Sequence, residues 1–567
     1  MKAELSTAGA VRISGTYSEI GPLKARVVQI AGTQGVLKQT RNFIEISLET
    51  YVAVRKETCG ASEETLDLQD AAEAKQQEHA NHALARDHVY QILAANQQTT
   101  GDEYWDGILD AHQGVAVNCM TVPGLLGLCL FDEQGTGKTI TGLAAFDLLK
   151  KSGAVDALLI TAPKTLLENW KDEAEKFLPF TPNIYIASGD KEARYRALGS
   201  GFDIYLLTYE NLVSDIESLK SLARTKQLLL AMDESFFIKN PDAKRSMAAI
   251  ELRGYCKRCF VLCGTPAPNK PSDLVHQFTM SDNGYALGDP ATQRSQALED
   301  YSTIESIIES RGVYLRRTKK SVLPDLPDKD FKIVELEMSL KQRSLYEEAK
   351  TELILYLKSL DNKTFKRNLT TYFQKRNVLL QICIDPSLID PLYNETPCKF
   401  AYLESALPEL IETKGEKVVV WSVYTKTIDR IVQSFSRYSP ARIDGKVAKV
   451  ADRQFMVERF QRDDSCKVFV GNPAAAGAGI TLHKAKTSIY LSYSNQAAHY
   501  MQSLDRTHRR GQTADSVEYL FLVAKDTIEV KEIKRLIEKQ GQQSNLLGDP
   551  EEERLELAEI LNDLEHG

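Results

Sequence analysis

Short, continuous apolar runs recur along most of the chain, and each is followed by polar residues or by glycine and proline. Strands buried on both faces of a parallel sheet have this pattern, and segments of helical length separate the runs. The runs therefore predict an α/β protein with two parallel sheets flanked by helices. In chain order they are residues 125–131, 157–163, 202–209, 227–234, 259–266, 417–425, 466–473 and 488–494.

Other parts of the chain depart from this pattern. Residues 1–60 favour β-branched and alternating sequences, such as ARVVQIAG and FIEISLETYVAV, which predict a small β-rich accessory module. Residues 61–104 turn to Ala, Glu, Gln and Leu, which predicts a helical linker. Strand signals thin out beyond residue 272, and we expect helical protrusions at about 272–312 and about 338–395.

These breaks divide the remaining chain into a first lobe at 105–331, a second lobe at 332–540 and a C-terminal tail at 541–567. Residues 549–567 hold eight acidic side chains and one arginine, a net charge of −7, and a helix is expected at 551–564. The whole chain carries −8, so its other 548 residues carry about −1. A nearly neutral body can concentrate cations on one face, so net charge does not exclude a nucleic-acid partner.

The cysteines and the uncharged segments of the chain indicate the compartment in which the protein is expected. Nine scattered cysteines show no disulfide framework, which favours a reducing cytoplasm. Cys256, Cys259 and Cys263 lack a second matching pair, so buried thiols beside a strand are favoured over a zinc site. Residues 114–131 carry no charge but contain a proline and three glycines, which indicates a turn and a buried strand rather than a membrane span.

The segment F-D-E-Q-G-T-G-K-T-I-T at 131–141 ends like a phosphate loop. Asp132, however, stands where the G-x-x-x-x-G-K-[ST] template has its first glycine. The segment lies between a predicted strand at 125–131 and a predicted helix at 140–150. This order directs backbone N–H groups and a helix N-terminus towards an anion.

The predicted nucleotide-binding residues of this loop have separate roles. Gly135 and Gly137 supply permissive backbone angles. Lys138 would reach the terminal phosphates, and the hydroxyl of Thr139 would hold Mg²⁺. The remaining members of the predicted cradle are Thr136 and Ile140.

A second candidate element ends the apolar run LLLAMDES. Asp233 and Glu234 follow a predicted strand, 95 positions beyond Lys138. Phosphoryl-transfer ATPases need a strand-end carboxylate to hold the metal and a neighbouring one to activate water. We therefore assign Asp233 to Mg²⁺ and Glu234 to the attacking water.

These elements resemble motifs of the Swi/Snf-type ATPases, DNA translocases of helicase superfamily two. D-E-Q-G-T-G-K-T is similar to the family's motif I, D-E-x-G-x-G-K-T, so Asp132 is the family's own variant of the loop. The resemblance covers roughly residues 105–540. The further segments, in chain order, are LDAHQGVAV (Q motif), ITAPKTLLENW (motif Ia), DESFFIKN (motif II), CGTPAPNKPSDL (motif III), YLRRTKKSVLPDLPDK and LLQICIDPSL (junction segments), ARIDGKV followed by Arg453 and Phe460, AGAGITL (motif V), QSLDRTHRRGQ (motif VI) and VAKDTIEVKEIKRLIEKQ (closing helix).

The resemblance implies two RecA-like lobes with helical protrusions, and ATP and Mg²⁺ as cofactors held between the lobes. It places Gln113 at the adenine and Gly479 at the nucleotide. In motif VI, Arg506 and Arg509 lie three apart, on one face of an expected helix. Guanidinium groups suit the charge on transferred phosphoryl oxygens, so the resemblance makes both residues arginine fingers.

The resemblance also implies a DNA track that holds phosphates without reading sequence. The residues assigned to it are Lys164 and Asn169 near motif Ia, Thr208 and Tyr209 at a strand end, and Lys446, Gly477 and Gly479 near motif V. A basic run from Lys363 to Arg376 in the second protrusion would strengthen DNA binding, although such runs more often form a solvent-exposed face of a helix.

Two positions depart from the family's pattern. Motif II has Phe236 where histidine is usual, and motif V has Thr481 where asparagine is commoner. That histidine is thought to couple the nucleotide to motif III, so this coupling is expected to differ here. Asp233 and Glu234 are intact, and hydrolysis is therefore expected.

The sequence thus predicts a DNA-dependent ATPase that translocates on duplex DNA, of a compact bacterial or phage type, with RNA less favoured and no membrane partner. Two alternatives stay open. One is a fork-remodelling or strand-annealing motor that uses residues 1–100 to bind branched or single-stranded DNA. The other is a scaffold or polymerase-remodelling partner in which ATP binding only switches conformation and the acidic tail serves for docking.

Overall fold

A computed structural model describes residues 1–534 and Leu564, apart from several short internal segments, and it divides into two compact units, Met1–Thr318 and Lys319–Gly567. The segments not described are 6–9, 32–35, 59–62, 265, 267–272, 289–300, 448–449, 476–479, 493–499, 501–502 and 510. The helix expected at 551–564 therefore lies almost wholly outside the described residues. None of the described helices combines the length and the apolar character that crossing a membrane requires.

The N-terminal module has a five-stranded sheet in the order β3-β4-β2-β1-β5, antiparallel except where β5 joins β1. Its strands are β1 Lys2–Leu5, β2 Val11–Ser14, β3 Val36–Gln39, β4 Phe43–Ile46 and β5 Glu63–Glu64, and its helices are Tyr17–Ala31 and Leu48–Thr58. The β-rich prediction is confirmed at β4, but residues 25–31 (ARVVQIA) and 48–54 (LETYVAV) are helical. Ile20, Leu23 and Val27 recur at helical spacing and face the sheet, so helical periodicity outweighs β-branched composition there.

The first lobe is built on a seven-stranded, all-parallel sheet in the order β12-β6-β11-β10-β7-β9-β8. Its strands are β6 Gly127–Leu130, β7 Ala157–Thr161, β8 Ile184–Ile186, β9 Ile204–Leu207, β10 Leu228–Asp233, β11 Arg258–Leu262 and β12 Tyr314–Leu315. Its helices are Glu103–Asp106, Ala111–Thr121, Lys138–Lys151, Lys164–Phe177, Lys191–Leu198, Tyr209–Ser214, Ile216–Thr225, Lys244–Arg253, Asp273–Asp282 and Tyr301–Arg311, with a 3₁₀ turn at Ser235–Ile238.

The second unit contains a six-stranded parallel sheet in the order β13-β18-β17-β14-β16-β15. Its strands are β13 Asp328–Leu336, β14 Lys417–Trp421, β15 Ala441–Ile443, β16 Val468–Gly471, β17 Ala485–Tyr490 and β18 Ser516–Ala524. Its helices are Lys319–Val322, Leu340–Lys358, Asn362–Arg367, Leu369–Ile384, Cys398–Pro408, Thr425–Ser434 and Val450–Arg462, with 3₁₀ turns at Pro386–Leu388 and Ser436–Tyr438 and a π-helical turn at Glu409–Thr413.

These sheets confirm the predicted α/β class with two RecA-like lobes, and all eight apolar runs form strands. The cysteines around β11 are buried thiols, as predicted. The edge strand β13 was missed because its side chains alternate between exposed and half-buried positions. It belongs to the second sheet although it begins at Asp328, before the predicted start of the second lobe. The other proposed boundaries stay predictions.

The helix Leu66–Ala95 fastens the N-terminal module to the first lobe. His82 is fully buried on this helix, and its Nδ1 accepts a hydrogen bond from the backbone N–H of Leu126 at 3.1 Å. Arg86 of the same helix donates to the carbonyls of Glu309 and Gly312. Burial, reinforced by nearby arginines including Arg253 and Arg258, lowers the pKa of His82 to about 3.

Acid should weaken this attachment. Because His82 is neutral in the folded protein, the unfolded state binds a proton more readily, and stability is lost as pH falls from about 6.5 towards 3. The loss from His82 alone is about 2 kcal/mol at pH 5. His82→Asn keeps an acceptor near the Nδ1 position but cannot titrate. We expect urea unfolding at pH 7.5 and pH 5 to show a smaller drop for the variant; equal drops would contradict the assignment.

Candidate functional site: a phosphate loop and paired carboxylates

The phosphate loop joins β6 to the helix Lys138–Lys151 at the carboxyl end of the first parallel sheet. Gly135 and Gly137 have φ angles of 87° and 88°, in the left-handed region that favours glycine. A Cβ on Gly137 would lie 2.2 Å from Nε2 of Gln113, so a side chain there would clash. The two glycines therefore allow the close turn that the sequence predicted.

Lys138 begins the helix, and its ammonium group folds back over the loop. Its Nζ donates to the carbonyl of Asp132 at 2.8 Å and to that of Glu133 at 3.3 Å. Both acceptors are neutral, so a phosphate oxygen can replace them with a stronger, charge-assisted partner. Thr139 and Ile140 lie half-buried in the first helical turn, where free N–H groups favour an anion.

Two side chains of the Q motif contact the backbone of the phosphate loop. Nε2 of Gln113 and Nε2 of His112 each lie 2.9 Å from the carbonyl oxygen of Thr136. Burial lowers the pKa of His112, which favours a neutral ring that donates from this nitrogen. Gln113 Oε1 accepts from the backbone N–H of Asp110. These contacts give Gln113 a role in positioning the loop, and its adenine contact stays a prediction.

Asp132, which replaces the template's first glycine, is the anchor of the loop. It is 2% exposed, and its carboxylate pairs with the guanidinium of Arg317 at 2.5 Å. Arg317 also donates to the carbonyl of His112, which ties the Q motif to motif I. The neighbouring Arg316 donates to the carbonyls of Phe131 at 2.6 Å and of motif III residue 264 at 2.7 Å. The sequence predicted a junction segment at these two arginines but no role for them in the site.

Removing Arg317 should loosen the phosphate loop. In Arg317→Ala the Asp132 carboxylate is left buried without its cation, at a cost of about 2 kcal/mol. Amide hydrogen exchange of residues 132–139 should then quicken about thirtyfold. Arg224→Ala, on the surface of the same unit, is the control and should change nothing there. The double variant Asp132→Ala/Arg317→Ala should exchange more slowly than Arg317→Ala; unchanged exchange in Arg317→Ala would disprove the anchor.

Asp233 and Glu234 form the carboxylate pair at the end of β10. They are distant from the phosphate loop in the sequence but lie beside it in the structure. Asp233 Oδ2 accepts from the indole N–H of Trp170 at 2.8 Å, and Oδ1 accepts from the backbone N–H of Glu234 at 2.9 Å. Burial raises the pKa of Asp233, while Trp170 and the positive charge of Lys138 act in the opposite direction. Glu234 Oε1 accepts from Nε2 of Gln134 in the phosphate loop at 2.7 Å.

The backbone at Glu234 is unusual for a residue other than glycine. Its φ and ψ are both 52°, in the left-handed region, and a 3₁₀ turn follows directly. Such conformations concentrate at functional sites because the surroundings must hold them in place. Gln134 does this for the side chain, and it also packs on Gly264, where a Cβ would lie 2.4 Å from Gln134 Cγ. Sequence reasoning missed Gln134.

The donor set fits Mg²⁺ and a nucleotide. Each oxygen of Asp233 accepts one hydrogen bond from the protein and retains lone pairs for a metal. Within the described residues, no group of three His, Cys, Asp or Glu could hold a metal by itself. This arrangement is typical of Mg²⁺, which binds through one or two carboxylates, water and phosphate oxygens. The chain would supply Asp233 and Thr139, and the nucleotide the rest.

Motif VI lies in the second unit and is held by two lysines. Asp505, 6% exposed, accepts from Nζ of Lys319 at 2.7 Å and of Lys329 at 3.1 Å. These lysines keep the pKa of Asp505 well below its ordinary value although burial opposes them. Lys319 also donates to the carbonyl of His508 at 2.9 Å. The junction segment thus fixes the backbone from which the two motif VI arginines extend.

The expected helix across Arg506 and Arg509 is wrong. Helical structure ends at residue 504, and both arginines lie in turns and bends. The Arg506 carbonyl accepts from the backbone N–H of Leu482, which draws the chain out of the helix, and its side chain is buried. Arg509 donates to Thr481 Oγ1 at 3.1 Å, so the threonine that replaces asparagine in motif V holds it. Their role as arginine fingers stays a prediction.

The predicted DNA residues have different environments. Lys164 is exposed at the start of the helix Lys164–Phe177, and Thr208 caps the N-terminus of the helix Tyr209–Ser214. The prediction for Tyr209 needs correction: its side chain is buried, and its hydroxyl donates to the Asp233 carbonyl at 2.8 Å. Lys446 forms an exposed pair with Asp429. The remaining members, Gly477 and Gly479, lie outside the described residues.

Three further members of the predicted DNA-binding set form contacts within the protein. Asn169 donates to Glu173 at 3.2 Å within its own helix. In the basic run of the second protrusion, Lys375 pairs with Glu352, and Arg376 pairs with Glu532. These pairs neutralise part of the run, so its contribution to DNA binding stays a prediction.

Comparison with known proteins gives matches over most of the chain. Residues 110–388 match the SNF2-related domain, and residues 399–511 match the helicase conserved C-terminal domain. A Caenorhabditis elegans SWI/SNF-related matrix-associated actin-dependent regulator of chromatin, subfamily A containing DEAD/H box 1 homolog, is 27% identical over 477 residues, which cover 71% of this chain and 48% of the relative. An uncharacterized ATP-dependent helicase of Mycoplasma genitalium is 28% identical over 430 residues, covering 74% and 40%.

Among solved structures, the Sulfolobus solfataricus SWI2/SNF2 ATPase core in complex with dsDNA is 25% identical to this chain. The match covers 82% of this chain and 97% of that one, with a TM-score of 0.37. The chain spans less than half the length of the two curated relatives described above.

Proposed function

Because the chain belongs to the SNF2-related family of ATP-dependent helicase-like proteins, we propose that it is a DNA-dependent ATPase that translocates on duplex DNA. The observation that carries this proposal is the meeting of a phosphate loop with a strand-end carboxylate pair at one edge of the first sheet. Gln134 joins the two by a direct hydrogen bond to Glu234. The cytoplasmic location stays a prediction from cysteine usage.

Each group in this site has a proposed task. The loop amides and Lys138 bind the phosphates, and Asp233 and Thr139 hold Mg²⁺, which neutralises charge on the phosphoryl group. Glu234 orients the attacking water and accepts its proton. Arg506 and Arg509 are proposed to stabilise charge on the transferred group. Hydrolysis then changes how the lobes hold the DNA backbone, and repeated cycles move the protein along it.

Steady-state ATPase assays test the proposal. Duplex, single-stranded and forked DNA and an RNA duplex should be compared in parallel at one salt concentration, because phosphate contacts are salt-dependent. We expect duplex DNA to raise the turnover number about tenfold or more over the RNA duplex, since the relatives include a Mus musculus protein named chromodomain-helicase-DNA-binding protein 1-like. Equal stimulation by RNA would contradict a DNA motor, and no hydrolysis with any polymer would contradict the ATPase.

A second candidate, a fork-remodelling motor, is favoured by the N-terminal module. This module has its own apolar core, so it can present a binding surface independent of the ATPase lobes. Deletion of residues 1–62 tests it and leaves the helix Leu66–Ala95, which contacts the first lobe through His82 and Arg86. Loss of stimulation by forked but not by linear duplex DNA would support fork remodelling; equal effects would exclude it.

A further inference from the structure

A buried chain of hydrogen bonds joins motif II to motif III. Ser235 directly follows Glu234, and its hydroxyl contacts the side-chain oxygen of Gln277. Nε2 of Gln277 lies 2.5 Å from the carbonyl oxygen of Pro266 in motif III and 2.8 Å from that of Asp273. Ser235 and Gln277 are both fully buried, so water does not substitute for these contacts.

The chemistry fixes the direction of each bond. Carbonyl oxygens only accept, so the nitrogen of Gln277 must be the atom that faces Pro266 and Asp273. Its oxygen therefore faces Ser235, and the Ser235 hydroxyl must donate. Every donor in the chain has one acceptor, and losing any member leaves a buried polar group without its partner. The chain thus has one arrangement that satisfies all of its members.

The residue that usually links these motifs in the family cannot do so here. Phe236 has no polar side-chain atom, and its ring stacks on Phe237 at a centroid distance of 4.6 Å. Phe237 in turn stacks on Tyr209 at 5.6 Å, and the Tyr209 hydroxyl donates to the Asp233 carbonyl. Phe236 therefore belongs to an aromatic stack, and the neighbouring Ser235 makes the polar connection to motif III.

We propose that Ser235 and Gln277 are positioning residues that transmit the state of the catalytic carboxylates to motif III and so couple ATP hydrolysis to movement along DNA. This inference rests on the proposed function. A change in the backbone at Glu234 moves Ser235 directly, and Gln277 carries that displacement to the carbonyl of Pro266. A second contact supports the same path, because Lys239 of motif II pairs with Asp273 at 2.9 Å.

The test measures coupling rather than activity alone. In wild type, Ser235→Ala, Gln277→Leu and the double variant, ATP consumption and displacement of a third strand from duplex DNA are recorded in one reaction. We expect ATP turnover within threefold of wild type and at least a tenfold fall in strand displacement per ATP. The double variant should lose no more strand displacement per ATP than the more impaired single variant, since both residues act in one chain of hydrogen bonds.

Ser246→Ala is the matched control. Ser246 is also fully buried, and its hydroxyl donates to the carbonyl of Ile238 on the same 3₁₀ turn, outside the proposed chain. We expect its displacement per ATP to equal that of wild type. Misfolding lowers both measured rates together and leaves their ratio unchanged. Wild-type coupling in Ser235→Ala, or an equal loss in Ser246→Ala, would overturn the proposal. Absence of hydrolysis in the wild-type protein would instead contradict the proposed function.

Discussion

Glu234→Gln should lower the ATP turnover number by about a thousandfold, because an amide cannot accept the proton of the attacking water. The substitution conserves size, and the new amide oxygen can keep the hydrogen bond that Glu234 accepts from Gln134 at 2.7 Å. The phosphate loop and the metal-binding carboxylate of Asp233 therefore stay in place. ATP affinity should remain within about threefold of wild type, since the bonds to phosphate and metal are unchanged.

Turnover and binding must be measured on the same preparations, by phosphate release and by titration with a fluorescent ATP analogue. Glu251→Gln is the control, because it removes a carboxylate from the surface of the same unit, where Glu251 pairs with Lys220. That variant should behave as wild type in both assays. Turnover above about a tenth of the wild-type value in Glu234→Gln would show that another group activates the water.

The parts of this site that could be predicted from the sequence are those with local signals. Gly135, Gly137 and Lys138 lie within one loop, and Asp233 and Glu234 end one apolar run, so the local sequence pattern placed them at a helix start and at a strand end. Continuous apolar runs likewise predicted the central strands of both sheets. In each case the residues that define the feature are neighbours in the sequence.

The parts that could not be predicted depend on tertiary contacts. Arg317 pairs with Asp132 across 185 positions, and Gln134 meets Glu234 across 100, so no local pattern reveals either contact. Tyr209 has the polar hydroxyl expected of a phosphate ligand, but the fold turns it inward to the Asp233 carbonyl. In motif VI a three-residue spacing indicated one helical face, whereas a backbone bond to Leu482 ends the helix first.

Glu529→Ala should lower the free energy of unfolding by about 3–5 kcal/mol, more than any of the other proposed substitutions, because it leaves the ammonium group of Lys399 buried without its anion. Both side chains are almost fully buried, and Lys399 Nζ lies 2.7 Å from Glu529 Oε1. The other oxygen of Glu529 accepts from the backbone N–H of Ala524 at 2.9 Å, and Lys399 also donates to the carbonyl of Leu491. The pair therefore ties the helix Cys398–Pro408 to the ends of two strands of the second sheet.

Denaturant unfolding followed by hydrogen exchange in β17 and β18 measures this loss for the second unit. Glu337→Ala is the control, because the Glu337–Lys525 pair has the same charges but is 70% and 45% exposed. Its removal should change the free energy of unfolding far less than Glu529→Ala does, because exposed ion pairs contribute little to stability. The double variant Lys399→Met/Glu529→Leu removes both charges and fills similar volume, so it should recover most of the lost stability. Equal losses in the single and double variants would show that packing, rather than an unpaired charge, causes the effect.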